Sequence, residues 1–422
     1  MTFLIIALLL VVLFLSWKYM LQLEPAGVFA AMWVVLIATI LLCHDFVIIR
    51  YYGLIFILAC VICFMAGTIF CETCYTPSPK FEKELTFDVK SSKIILTILF
   101  VMAFFNPIYT LYLHGFSLKS LLSTAALLYM NNEIAIDRYS GGNAYSTFNQ
   151  LFLVFSYTAP LFGGFCFRLI DKYGKIVSIM TIFPGIFTAL TQSMKMGMIT
   201  SIILWISGFL VCSVSYHLPL KIKFKKIIIT LAIFSIFISI LFISMVLRTG
   251  EISEKIIEDI TNKFFTYALG YVPCFDIWYS STDSTDYTYG GRTLFGITNF
   301  LGIMDRQQGI YDQWIPFGKN GFKGESNVYT VFRMLIEDFG PIFSCVLMFC
   351  FGLISKFSQK KLYIGNYVPL NQIVLTAVYA FVFWSFVTSF FAYTSYLAMF
   401  VLTFLILIYV QTVKKPHEST TD

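Results

Sequence analysis

Apolar residues dominate this chain in long runs, separated by short polar breaks. The runs fall at roughly 3–16, 26–43, 53–70, 94–113, 147–167, 176–191, 198–216, 226–247, 341–355, 369–390 and 395–412. Runs of roughly 17–25 residues are long enough to cross a bilayer core as helices. They do not alternate as barrel strands do, and a helix satisfies its own backbone in lipid. The pattern predicts an all-α polytopic membrane protein of about eleven spans. Pro184 lies inside the sixth run and predicts a kink there. The first run lacks a basic start and leads straight into more membrane, so it reads as a span and not as a cleaved signal.

Two segments between runs are more than connectors. One, 114–146, carries a short amphipathic stretch and then a polar turn. The other, 248–340, is far longer than a helix connection needs. It opens with Ile252, Ile256, Ile260, Phe264 and Ala268 at every fourth position, which predicts a helix with one apolar face. The chain thus divides into an eight-span region (1–247), a long loop (248–340), a three-span region (341–412) and a polar tail (413–422).

Composition supports the pattern. Of 422 residues 58% are hydrophobic and 12% charged, about half the charge of a soluble domain. The formal net charge of +6 reflects loop lysines and is no sign of nucleic-acid binding. With the C-terminus placed in the cytoplasm, seventeen of the 29 basic residues fall in inside loops. Short outside loops keep only Arg50, Lys119, Arg138 and Lys195. The positive-inside rule therefore puts the long loop on the far side of the membrane, and an odd span count puts the N-terminus there too.

Most of the ten cysteines lie in apolar runs, where cysteine acts as a small hydrophobe. Cys71 and Cys74 form a CxxC pair with no second pair to complete a zinc site, so no metal is expected. The four histidines, His44, His114, His217 and His417, all lie outside the long loop. Motifs for serine hydrolysis, zinc proteolysis or ATP binding are absent from the sequence.

The long loop gathers carboxylates, arginines and aromatics, among them Asp276, Trp278 and Tyr311. Such a mixture suits sugar rings, whose faces stack while their hydroxyls meet charged partners; an interfacial aromatic belt has the same composition. Within "GESNVYTVFRMLIEDFG", Asn327 is placed as a helix N-cap, and the helix runs on into the ninth span. Thr330, Arg333 and Glu337 then share a face, with Arg333 and Glu337 one turn apart and able to pair. Such a pair either anchors the helix or presents Arg333 to a phosphate at the membrane surface. Upstream, Gly290 and Gly291 allow a tight turn before Arg292. Lys195 and Arg248 each stand at a span end, positioned to snorkel or to meet an anionic head group.

These residues resemble a known family. Gly290-Gly291-Arg292-Thr293, Asn327-Val328-Tyr329-Thr330 and Asp338-Phe339-Gly340 are similar to elements of the Wzy-type O-antigen polymerases, which join oligosaccharide repeat units of bacterial surface polysaccharides. The motifs cover about a tenth of the chain, and the remainder agrees in topology. One departure is Lys195, where relatives carry arginine. The resemblance implies a GT-C-like glycosyltransferase architecture in the inner membrane, with the long loop in the periplasm. It implies transfer of a growing glycan from one undecaprenyl diphosphate carrier to the non-reducing end of a new carrier-linked unit, without a cofactor. A flippase and a chain-length regulator are the partners implied. Arg292, Arg333, Glu337 and Asp338 become the catalytic candidates, with Asp276 and Glu325 as further carboxylates able to take a proton. Lys195, Arg248, Gly290, Gly291, Asn327, Tyr329, Thr330 and Asp276 become the candidates for binding. An O-antigen ligase and a flippase of lipid-linked sugar are the alternatives. The ligase is expected to need a histidine in the long loop, and the flippase short loops around a polar cavity.

Overall fold

A computed structural model describes residues 1–75, 84–139, 147–220, 224–251, 253–282, 286–304, 311–365 and 368–414. The polar turn at 140–146, Ile252 and the tail from 415 onward lie outside these residues. The helices run in chain order as α1 (Thr2–Leu21), α2 (Pro25–Leu42), α3 (Tyr52–Cys74), α4 (Val89–Leu113), α5 (Thr124–Tyr139), α6 (Thr147–Cys166), α7 (Lys172–Met180) and α8 (Phe183–Gln192). They continue as α9 (Lys195–Ser215), α10 (Phe224–Leu247), α11 (Glu254–Leu269), α12 (Tyr271–Ser281), α13 (Phe295–Phe300), α14 (Val331–Tyr363), α15 (Val368–Trp384) and α16 (Thr394–Val410). Strand β1 (Glu84–Phe87) pairs antiparallel with β4 (Gln411–Lys414), and β2 (Ile315–Pro316) with β3 (Glu325–Ser326). Among the described residues, six single helices and the α7–α8 stretch taken together (Lys172–Gln192) are long and apolar enough to cross a membrane, and three shorter helices are apolar. The protein is a mostly helical, membrane-embedded chain.

Several boundaries differ from the sequence reading. The sixth run is two helices, broken at Thr181 and Ile182. Pro184 sits in the first turn of α8, where its missing N–H costs nothing, and so follows the break instead of kinking a continuous helix. The tenth run ends at Trp384 and not near 390, because Ser385 turns its carbonyl to the first N–H of α14 (Val331 N, 2.8 Å). Asn327 is not the N-cap of α14. The helix begins at Val331 behind Thr330, since Asn327 follows strand β3 and donates its side-chain amide to the Tyr311 carbonyl at 3.1 Å. Nor does α14 run straight. Gly340 breaks it with φ 75° and ψ 169°, and Pro341 follows. That conformation is reserved for glycine. The amphipathic pattern at the loop's start does form a helix, α11, with Ile260 buried.

The chain divides into two compact units, Met1–Lys80 with Asn262–Leu397, and Phe81–Thr261 with Ala398–Asp422. In the first unit α3 and α14 lie side by side with their backbones almost touching. A Cβ at Gly67 would collide with the Phe349 carbonyl oxygen, and one at Gly352 with that of Phe64. Small residues allow this approach, which is how helices pack where no hydrophobic drive separates protein from lipid. Phe29, Trp33, Phe64 and Phe332 are fully buried around the pair. In the second unit α6 packs on α9, where a Cβ at Gly164 would collide with the Trp205 carbonyl.

Candidate functional site

The opening turns of α14 carry the densest buried charge of the first unit. Arg333 is 7% exposed. Its guanidinium lies 3.8 Å from the Tyr311 ring centroid, 4.0 Å from Tyr329 and 4.8 Å from Trp278. Three aromatic faces thus replace the water that such a cation gives up. The sequence spacing holds here. Arg333 Nε donates to Glu337 Oε1 at 2.8 Å, one turn along the helix. Two other groups reach the second Glu337 oxygen: the Tyr311 hydroxyl donates at 2.8 Å, and Arg292 Nε stands 3.5 Å away as an ion pair. One carboxylate therefore bridges two arginines from segments 41 positions apart.

Asp338 assembles this cluster from the other side. It is fully buried and accepts from Arg292 N at 2.8 Å, from Thr293 N at 2.6 Å and from the Thr288 hydroxyl. The main-chain N–H groups of Thr288 and Tyr289 also donate to the carbonyls of Glu337 and Asp338. The Gly-Gly-Arg-Thr turn is thereby tied to the Glu-Asp-Phe-Gly step of α14. Within the turn, Gly290 takes φ 96°, and Gly291 lies so close to Met304 Sδ that a Cβ would stand 2.8 Å from it. The backbone at Gly290 favours glycine, whereas a side chain at Gly291 would require Met304 to shift. Asn327 holds the Tyr311 backbone, and the Tyr329 hydroxyl donates to Gln313 O at 2.8 Å, so both walls of the arginine cage are fixed.

Several polar atoms here are buried without a hydrogen-bond partner: Arg333 Nη1, Arg292 Nε, Thr330 Oγ1 and Thr293 Oγ1. Leaving a buried donor unmade costs about 1–3 kcal/mol, more for charged groups. Two arginines facing one bridging carboxylate leave donor capacity over, and an arginine fork suits phosphate or carboxylate oxygens. Tyr311 keeps some exposed surface, but its hydroxyl is turned to Glu337. Burial first, then the charge of Glu337, push its phenol well above the ordinary value of 10.0, with Arg333 and Arg292 pulling the other way.

Asp276 does not join this cluster. It is fully buried in α12 and accepts from the backbone N–H groups of Arg50 (2.6 Å), Tyr51 (2.9 Å) and Gly53 (2.7 Å). It caps the start of α3 across the sequence. Burial pushes its carboxyl up, against the pull of those donors. Glu325 lies exposed in β3.

Lys195 and Arg248 belong to the second unit. Lys195 opens α9 just after Ser193, whose φ is 54° and whose hydroxyl donates to Asn131 Oδ1 at 2.9 Å. Arg248 follows α10, and the carbonyl of the next residue, Thr249, accepts from Asn132 Nδ2 at 3.1 Å. Two consecutive asparagines of α5 thus tie down the turns that carry these cations, a signal the sequence shows only as "MNNE".

Tyr311 and Trp278 are the site residues that sequence reasoning left among many loop aromatics. The one available signal was position: Tyr311 lies between the two arginine motifs. Comparison with protein-family models, with curated proteins and with solved structures returns no match.

Proposed function

We propose that the protein polymerises lipid-diphosphate-linked oligosaccharide units, moving a growing glycan from its carrier to the non-reducing end of a new unit. The observation that carries this reading is the Arg292–Glu337–Arg333 bridge, with a buried guanidinium N–H left unpartnered at the head of an apolar helix. The resemblance of the Gly-Gly-Arg-Thr and Asn-Val-Tyr-Thr elements to Wzy-type polymerases supplies the reaction class.

In this reaction the bond from the anomeric carbon to the diphosphate oxygen breaks. A bond from that carbon to the acceptor hydroxyl oxygen forms, the departing diphosphate keeps the electron pair of the broken bond, and the hydroxyl proton passes to water. Negative charge grows on the leaving diphosphate, and donors fixed in advance stabilise it without reorganising. Arg333 and Arg292 fill that role. The Glu337 carboxylate already meets both arginines and the Tyr311 hydroxyl, so it aims the cations. Asp338 spends its lone pairs on the turn and positions Arg292. Thr330, Thr293 and the aromatic walls complete the binding surface. Lys195 and Arg248 meet phosphate charge at their own turns in the second unit.

The reading carries with it eleven spans in a bacterial inner membrane. The long loop faces the periplasm and the C-terminus the cytoplasm, with a flippase and a chain-length regulator as partners. The test is Arg333→Ala and Arg292→Ala in a deletion strain, read as a glycan ladder on a gel with abundance checked by blot. Collapse to single-repeat glycan at normal abundance is expected. An unchanged ladder from both variants removes the arginines from the reaction. Loss of nearly all surface glycan points to a flippase instead.

A further inference from the structure

We propose that Cys60 and Cys345 form a redox-modification site, which a lipid-soluble quinone oxidises to a disulfide joining α3 to α14. The inference stands apart from the reaction proposed above and uses neither arginine. Cys60 Sγ lies 3.9 Å from Cys345 Sγ, and both are free thiols. A disulfide brings its sulfurs to about 2.05 Å. The remaining gap of about 2 Å is shared between two side chains, each turning on a single rotor. The helices face each other in a fixed register here. Cys60 and Cys345 stand seven residues before Gly67 and Gly352, where the two backbones come into contact. They therefore repeat the same seam position one heptad away. Further along the seam, Thr68 Oγ1 donates to the Gly352 carbonyl at 3.2 Å and Lys360 Nζ to the Cys71 carbonyl at 3.1 Å. The packing that opposes the two sulfurs is thus held at several points.

The setting selects the oxidant. Cys60 is fully buried, whereas Cys345 is half-buried and open on one side. That side is apolar: Cys345 shares it with Cys63, Ile342, Val346 and Phe349. Ions are costly in such surroundings. A quinone dissolves in lipid and accepts two electrons together with two protons. Two S–H bonds break, one S–S bond forms, and both electrons and both protons pass to the quinone, which leaves as the hydroquinone. No net charge remains among the apolar side chains. The bond joins residues 285 positions apart. A link across so long a loop restricts the unfolded chain, so the oxidised protein unfolds at a higher temperature than the reduced one.

The experiment uses purified, fully reduced, full-length protein in phosphatidylcholine nanodiscs, treated with decylubiquinone. Remaining thiols are alkylated in denaturant and the digest is read by mass spectrometry, which needs no variant. Cys60 and Cys345 are expected to lose alkylation together. A cross-linked peptide containing both should appear, two hydrogens lighter than its reduced parts, and dithiothreitol should abolish it. Cys63→Ala is expected to keep the link and Cys345→Ala to lose it. The linked protein should unfold at a higher temperature than the same protein after dithiothreitol. Full alkylation of Cys60 and Cys345 after quinone treatment overturns the inference, as does a link between Cys63 and Cys345 in its place. Equal oxidation by glutathione disulfide, which is water-soluble, overturns the assignment of the oxidant to the lipid phase. Equal unfolding midpoints for the linked and reduced protein show that the bond restrains nothing, and the joining of the two helices falls.

Discussion

Arg333 and Glu337 sit one helical turn apart and are joined at 2.8 Å, yet a guanidinium N–H of Arg333 stays buried and unpartnered. A purely anchoring ion pair needs no such surplus. Arg333→Ala is expected to lower transfer by about 10²–10³-fold, as for loss of one charge-stabilising donor. Arg333→Lys recovers little of that, because a compact ammonium cannot cover the Tyr311 and Tyr329 rings while also donating to Glu337. Initial rates on lipid-linked units, normalised to protein abundance, decide it. A lysine variant at near wild-type rate shows that point charge alone suffices.

Asp338 predicts a different kind of loss. Its three donors hold Arg292 and Thr293 in place, so Asp338→Asn turns an amide N–H toward a donor and leaves another unmet. The expected cost is about 1–3 kcal/mol of stability, together with reduced transfer. Thr288→Val removes only the hydroxyl bond and should give a milder version of both effects. Thermal unfolding in detergent beside the rate assay tests the pairing. A stable Asp338→Asn protein that has lost all transfer instead argues for a direct chemical role.

Gly340 joins the charged cluster to the membrane part of α14. Its φ is 75° and its ψ 169°. Such angles are open essentially to glycine alone. A Cβ there would also stand 2.8 Å from the Tyr287 hydroxyl. Gly340→Ala should cost about 1–3 kcal/mol and shift the step that carries Glu337 and Asp338. Unfolding midpoints compared with Gly302→Ala, where nothing crowds the added carbon, separate strain from crowding. Equal midpoints for the two variants contradict the account.

Much of this was readable beforehand, and the reasons for the rest are physical. The apolar runs and the Arg333–Glu337 spacing depend on local periodicity, which a sequence displays directly. The tie from Asp338 to Arg292 joins residues 46 positions apart through backbone N–H groups, which carry no side-chain signature. Asp276 looked like a loop carboxylate because its partners are also backbone groups, at the start of α3. The break at Gly340 falls just before the apolar run at 341–355, where a glycine before a proline is also compatible with a plain helix entry.

The same limit hid a buried ion pair. Lys356 Nζ lies 2.9 and 2.8 Å from the two oxygens of Glu24, and both side chains are almost fully buried. Removing one partner strands a charge, at about 3–5 kcal/mol. Lys356→Met alone should sharply reduce yield and unfolding temperature, and adding Glu24→Gln should restore most of both. A single variant as stable as the double one shows that water already reaches the pair.

Tyr311 supplies a prediction in pH. Its folded phenol titrates above the unfolded value of about 10, because burial and Glu337 oppose the phenolate. The folded state therefore binds more protons than the unfolded chain once pH exceeds about 10. The stabilising contribution is complete below that pH and is lost as pH rises toward the folded value. Tyr311→Phe keeps the ring against Arg333 but has no proton to lose. It should be less stable than wild type near neutrality by about 0.5–1.5 kcal/mol for the missing hydrogen bond to Glu337. Between about pH 9 and 11 its stability should fall less steeply than that of wild type, so that the two curves converge. Parallel curves across that range indicate that the hydroxyl is solvated and does not hold Glu337 in place.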